Sequence, residues 1–313
     1  LVHELVASDD LLRPQALAYI ASAQGKPEAA QHVWDRKDYK MPGGTPANPK
    51  IAGMLTVAPA MLKLKTRGLY PAPEAALAAM VEGAMVDFDT AMRIESRYLA
   101  TLMNSEVARN MINTVFFNMN SYKADQAKLQ AELGHKPESA WVLNKGMPAA
   151  GLDYAQWFKA EPTDGKQIYI KRLITAYVHQ AEALLAEGVS EALIENLAVQ
   201  SGMHLGPLKM KAQCGNVPSA AFSSTVQTAT ASLQGAQLHQ TIQDRILFSQ
   251  AVEAAKCLHE GVLRAVHEAN IGSVFVIGFP ACKGGTLQMI YAMGVDAFGD
   301  RCQALAKQFG SAF

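Results

Sequence analysis

The chain has 313 residues, 50% of them hydrophobic and 18% charged, with 28 Lys and Arg against 28 Asp and Glu. That length and apolar content give room for two domains with real cores and exclude general disorder. A formal charge of zero speaks against the concentrated basic surface that nucleic acid requires, and no apolar run approaches the about 20 residues of a bilayer span.

Apolar residues at helical spacing (Leu12, Ala16, Leu17, Ile20, Ala21) predict a first helix over 10–31, broken by the polar, Gly/Pro-rich stretch 35–50. A second helix is expected from about Pro49 to Lys65, ended by Gly68 and the Pro71/Pro73 pair. Residues 74–84 and 87–120 carry apolar side chains at i, i+3, i+4 and i+7, with Asp87 as N-cap of the longer helix. Tyr98, Phe116 and Phe117 read as its packing anchors. The methionines at 80, 85, 92, 103, 111 and 119 read as core packing, with a flexible acyl tunnel as the sharper alternative. Residues 121–165 lose any sustained period and read as a linker with one short helix. No strand pattern alternates with the helices, so the expected class is all-α.

The remaining stretch is written twice. Residues 172–189 and 245–262 share Arg172/Arg245, Ala181/Ala254, Leu185/Leu258, Glu187/Glu260, Gly188/Gly261 and Val189/Val262 at a constant offset of 73. Each copy is followed by a glycine–proline turn, at 201–210 and 277–289, with a Ser/Thr/Ala/Gln-rich stretch (218–240) between them. One such helical unit cannot bury its apolar face alone, so two modules packed about a pseudo-dyad are expected. Leu173, Leu184, Leu185, Ile246, Leu247 and Leu258 should lie buried between them.

Cys214, Cys257, Cys282 and Cys302 show no C-x-x-C spacing, and no secretory leader is evident. Reduced thiols in a cytoplasmic protein are the expectation. The chain starts at Leu1, and LVHELV reads as interior sequence, so residues upstream are expected.

Two blocks resemble the multifunctional α-subunit of the fatty acid β-oxidation complex. In the first, residues 1–120, LVHELV, WDRKDYKMPGG and the segment from KTRGLYPAPEAALAAMVEG to NMINTVFF are similar to that family's hydratase tail and linker helix. In the second, residues 166–313, IGSVFVIGFPACKGGTLQMIYAMG is similar to its terminal helical domain. The resemblance implies crotonase-tail and linker helices (1–120), a linker (121–165) and two 3-hydroxyacyl-CoA dehydrogenase C-terminal-like modules (166–240 and 241–313). It implies acyl-CoA as ligand, and a homo-oligomer or a thiolase-like β-subunit as partner.

The family's catalytic parts do not match. No G-x-G-x-x-G follows a strand, so NAD, the family's cofactor, has no expected site in this chain, and no cofactor or metal is expected. The catalytic glutamates and oxyanion amides of a hydratase would lie upstream of Leu1. His3-Glu4, His259-Glu260 and His267-Glu268 are adjacent in sequence and point about 100° apart on a helix, unsuited to a catalytic dyad. Lys171 occupies the place of a family asparagine that contacts substrate, Arg172 is retained, and Cys282 replaces an aromatic residue. No catalytic residue is therefore assigned. Candidate substrate contacts are Lys171 and Arg172, the cluster Lys63, Lys65 and Arg67, and Gly206-Pro207, although such residues, like Gly284-Gly285, more often let helices cross or cap. The alternative to a partial β-oxidation enzyme is a non-catalytic helical scaffold or docking module.

Overall fold

Proline and capping side chains set most of the helix starts in the amino-terminal third. The computed structural model describes residues 4–29, 31–134, 154, 162, 164–218, 230, 233–310 and 312–313. Every regular element among them is a helix, and no strand occurs. They divide into two units, Leu1–Lys63 with Ala72–Ala100, and Leu64–Pro71 with Thr101–Phe313.

In the first unit, α1 (Leu12–Ala23) stops well short of the expected 31, because Gly25, at φ 79°, and Pro27 end it. The helix expected over 49–65 is two: α2 (Pro49–Leu55), where Asn48 Oδ1 accepts the Lys50 N–H at 3.0 Å, and α3 (Ala58–Thr66). Pro59 explains the break, since its ring cannot follow an unbroken turn. α4 spans Pro71–Gly83 and α5 Phe88–Met103. Asp87 caps α5 as expected, its Oδ1 accepting the Thr90 N–H at 2.9 Å. Tyr98 donates to Glu82 and ties α5 to α4. Ile94 is the one buried apolar side chain of this unit among the described residues. Met80, Met85, Met92 and Met103 are exposed, which corrects their reading as core.

The second unit continues the chain through α6 (Glu106–Met111), capped by Ser105, a π-helical stretch (Ile112–Asn118) and α7 (Met119–Leu133), which Gly134 ends at φ 73°. The expected single helix over 87–120 is therefore interrupted at Asn104–Ser105 and runs on to 133. Its polarity is inverted. Asn110, Thr114 and Asn118 are buried, whereas Phe116 and Phe117 are 59% and 58% exposed, stacked edge to face. Among the described residues they are not buried anchors, and hydrogen bonds hold the helix instead. Asn110 Nδ2 donates to the Cys282 carbonyl at 3.3 Å, Thr114 Oγ donates to the Gly284 carbonyl, and Asn270 Nδ2 donates to Asn118 Oδ1 at 3.3 Å. All three partners belong to the second repeat; further along the same helix, Lys166 of the first repeat lies over the Tyr122 ring at 4.9 Å. Trp141, Leu143, Leu152, Trp157 and Phe158, expected to cover apolar surface, lie outside the described residues.

Each repeat is a three-helix module. The first comprises α8 (Gly165–Ala186), α9 (Glu191–Gln200) and α10 (Pro207–Cys214). The second comprises α11 (Gly235–His259), α12 (Val266–Gly272) with a π-helical extension to Ile277, and α13 (Thr286–Met293). α14 (Val295–Phe309) follows. α8 and α11 pack antiparallel, and the contact obeys a pseudo-dyad. Arg172 bonds Glu253 and Glu260; Arg245 bonds the dyad mates of those two residues, Gln180 at 3.2 Å and Glu187 at 2.7 Å. The arginine and glutamate repeated in the sequence are thus each other's partners across the axis. Leu173, Leu184, Ile246 and Leu247 are buried as expected, each worth about 1.5–3 kcal/mol. Leu185 is 39% exposed and Leu258 half-buried. Both follow a core residue by one position, which turns a side chain about 100° off the buried stripe.

Candidate functional site

The two modules share a capping device at their glycine turns. In the first, the buried carboxylate of Glu195, on α9, accepts the N–H groups of Leu208 (2.8 Å) and Lys209 (3.4 Å) at the start of α10. In the second, Asn270 Oδ1, on α12, accepts those of Leu287 (3.1 Å) and Gln288 (2.9 Å) at the start of α13. The caps themselves are Gly206 and Gly285 because the capping side chain lies against them. A Cβ on Gly206 would meet the Glu195 carboxylate at 2.1 Å, and one on Gly285, at φ 101°, the Asn270 Cα at 2.7 Å. Gly206 and Pro207 are buried in this arrangement.

The other candidates separate. Arg67 donates to the carbonyls of Val199 (2.8 Å) and Met203 (3.0 Å), closing the carboxyl end of α9. Lys65 is exposed in the same unit. Lys63 belongs to the first unit, on the rim of an apolar groove of about 500 Å³ between α2–α3 and α4 floored by Leu55, Leu62, Leu77 and Val81.

Lys171 and Arg172 come together in a cleft of about 560 Å³ between α8 and α11. Thr175, His179 and Gln180 line it from α8, and Ser249, Glu253 and Lys256 from α11, with Asn216 and Pro218 nearby. The volume falls in the range of small-molecule sites. Arg172 is raised well above the usual guanidinium range by its bonds to Glu260 and then Glu253, and Glu260 is lowered by the same bond. Glu253 also lies 3.9 Å from Lys256 Nζ. His179 Nε2 is 2.7 Å from the Pro218 carbonyl. His179, Glu253 and Lys256 escaped the sequence reading. The signal for Glu260 was present, since a dyad carrying the repeated Arg onto the other copy's Glu pairs Arg172 with Glu260, whereas Glu253, whose dyad mate is Gln180, carried none.

His267 and the cysteines are engaged elsewhere. His267 Nε2 lies 3.0 Å from Asp125, and Glu268 lies 3.7 Å from Lys166 and accepts the Arg264 N–H. All four cysteines are free and buried. Burial pushes Cys257 up to about 12, and Cys214 and Cys302 to about 11. They are packing thiols and poor nucleophiles at neutral pH.

Neither glycine turn fits a dinucleotide. The amides that would cradle a pyrophosphate already hold Glu195 in one module and Asn270 in the other, and the Glu195 carboxylate would repel a phosphate. No hydride-transfer step is therefore assigned to these residues. A scan of the chain against models of known protein families finds no match. No described helix is long and apolar enough to cross a membrane.

Proposed function

We propose that the chain is a helical component of the fatty acid β-oxidation multifunctional α-subunit family. It combines hydratase-tail and linker helices with paired 3-hydroxyacyl-CoA dehydrogenase C-terminal-like modules. Its role is to bind on the acyl-CoA side and to organise subunits; the chemistry belongs to domains other than these helices. The observation that supports this reading most is the dyad-related pair Arg172–Glu260 and Arg245–Glu187, which turns a repeated sequence into two copies of one module. Purified chain should bind a long-chain acyl-CoA saturably in equilibrium dialysis. It should neither form NADH from a 3-hydroxyacyl-CoA nor hydrate an enoyl-CoA. Steady turnover would overturn the proposal.

A scaffold or docking role, for a second copy or a thiolase-like subunit, is the second reading. It draws on the first unit, where Leu12, Leu17, Ile20, Met54, Met61 and Met80 are exposed. Absence of acyl-CoA binding would favour it.

A further inference from the structure

The helical run from Glu106 to Leu133 is built inside out. Its inner side is polar: Asn110, Thr114 and Asn118 are buried and bonded to Cys282, Gly284 and Asn270. Its outer side carries Ile112, Val115, Phe116 and Phe117, which are 40%, 42%, 59% and 58% exposed. The π-helical stretch accounts for the last three, because its wider i→i+5 turn keeps consecutive side chains toward one side. Rolling the helix to hide the rings would break the three inner hydrogen bonds and leave buried partners unpaired. The rings therefore stay outward, and a contiguous apolar face of this kind marks an interaction surface.

We infer that this face is a dimer interface, on which the same helix of a second copy lies antiparallel about a dyad through Phe117. The charges along the helix select that occupant and that register. Glu106 and Lys128 lie 11 residues either side of Phe117, and Arg109 and Asp125 lie 8 residues either side. In an antiparallel pair centred there, each acid of one copy stands level with a base of the other, and both pairings occur twice. A centre one residue earlier, at Phe116, would set Arg109 level with Lys123, which repels it. All four residues are exposed. Within the chain, Glu106 accepts a long bond of 3.5 Å from Asn110, and Asp125 meets His267 at 3.0 Å with its side chain still 51% exposed. Rim charges of this kind set register, and the apolar centre supplies the affinity. Such a contact is isologous, the same patch being used by both copies. A contact of standard size takes about 800 Å² from each partner, within reach of a helix about 40 Å long. The inference stands apart from acyl-CoA binding, because it concerns another face and is read by mass.

The test is sedimentation equilibrium of the full chain, for which a mass of twice 33.7 kDa is expected. Phe116→Asp combined with Phe117→Asp should give a monomer with unchanged helical content, since both side chains are exposed. Glu106→Lys alone should weaken the dimer by about tenfold, because it sets two lysines level in each pairing, and adding Lys128→Glu should restore it. Phe117→Cys should cross-link to its own copy on oxidation, the native thiols being buried, whereas Met80→Cys, exposed in the other unit, should not. A monomer at the highest concentration reached, its rings covered by another part of the chain or by a different protein, would overturn the inference. So would a dimer that survives the double aspartate variant, or one that fails to cross-link through Cys at 117.

Discussion

Arg245→Ala and Arg172→Ala are one chemical change at two dyad-related positions, and they should differ in cost by about 3 kcal/mol. The Arg245 and Glu187 side chains are 1% and 2% exposed, joined by two bonds of 2.7 Å; those of Arg172 and Glu260 are 27% and 47% exposed. Removing Arg245 strands a buried carboxylate that keeps, among the described residues, only Thr230 as donor, and removal of one partner from a buried pair costs about 3–5 kcal/mol. Removing Arg172 leaves Glu253 and Glu260 near water, a loss of about 1 kcal/mol or less. In a unit of this size that gap lowers Tm by about 6–12 °C. Urea denaturation followed by circular dichroism, read at constant m, measures it. Arg245→Met together with Glu187→Leu should recover most of the loss, because the penalty lies in the stranded charge and not in a missing attraction. Equal costs for the two alanine variants, or no recovery in the double replacement, would refute the reasoning.

Two further outcomes follow from the caps and the thiols. Gly285→Ala should destabilise by about 2–3 kcal/mol, since its Cβ meets backbone at a positive φ, and Gly206→Ala by about 1 kcal/mol, since the Glu195 carboxylate can swing away at the loss of a cap; thermal melts showing the reverse order would contradict the capping account. The folded state keeps protons on Cys257, Cys214 and Cys302 that the unfolded chain releases near its ordinary value of 9.0, so stability is complete below about pH 9 and declines through about pH 11–12; a denaturation midpoint that stays flat or rises from pH 9 to 11 would contradict it.

The duplicated module was legible because its identical residues recur at one offset, and those identities proved to be the dyad contacts and the helix ends. Gly188 and Gly261 both adopt positive φ (86° and 74°) just past their helices. Asp87 was legible because capping is local chemistry. The inverted face of the π-helical stretch was not. Periodicity assigns apolar residues inward, yet Asn110, Thr114 and Asn118 face the second repeat because carbonyls and an amide 152 to 172 residues away along the chain meet them there. The methionines of α4 and α5 follow the same logic, since periodicity marks an apolar stripe without saying what covers it. Of the candidate site, Lys171 and Arg172 were named from the resemblance. The neutralisation of Arg172 and the lysine on the facing helix depend on antiparallel packing, which no single segment encodes. Gly206 and Pro207 carried the pattern of a close approach, and the group that approaches is the chain's own Glu195.

The dyad itself is most directly tested by two distances. Residue 171 should lie as far from 259 as 186 does from 244, because each pair is the image of the other and both lie across the antiparallel contact of α8 and α11. Spin labels on cysteines introduced at those four positions, with the native buried thiols blocked or replaced, would read both separations. The account predicts two short and matching distances. A parallel or unpaired arrangement would lengthen them by about 22 Å, from about 15 residues at 1.5 Å each. Long separations, or one short and one long, would contradict it.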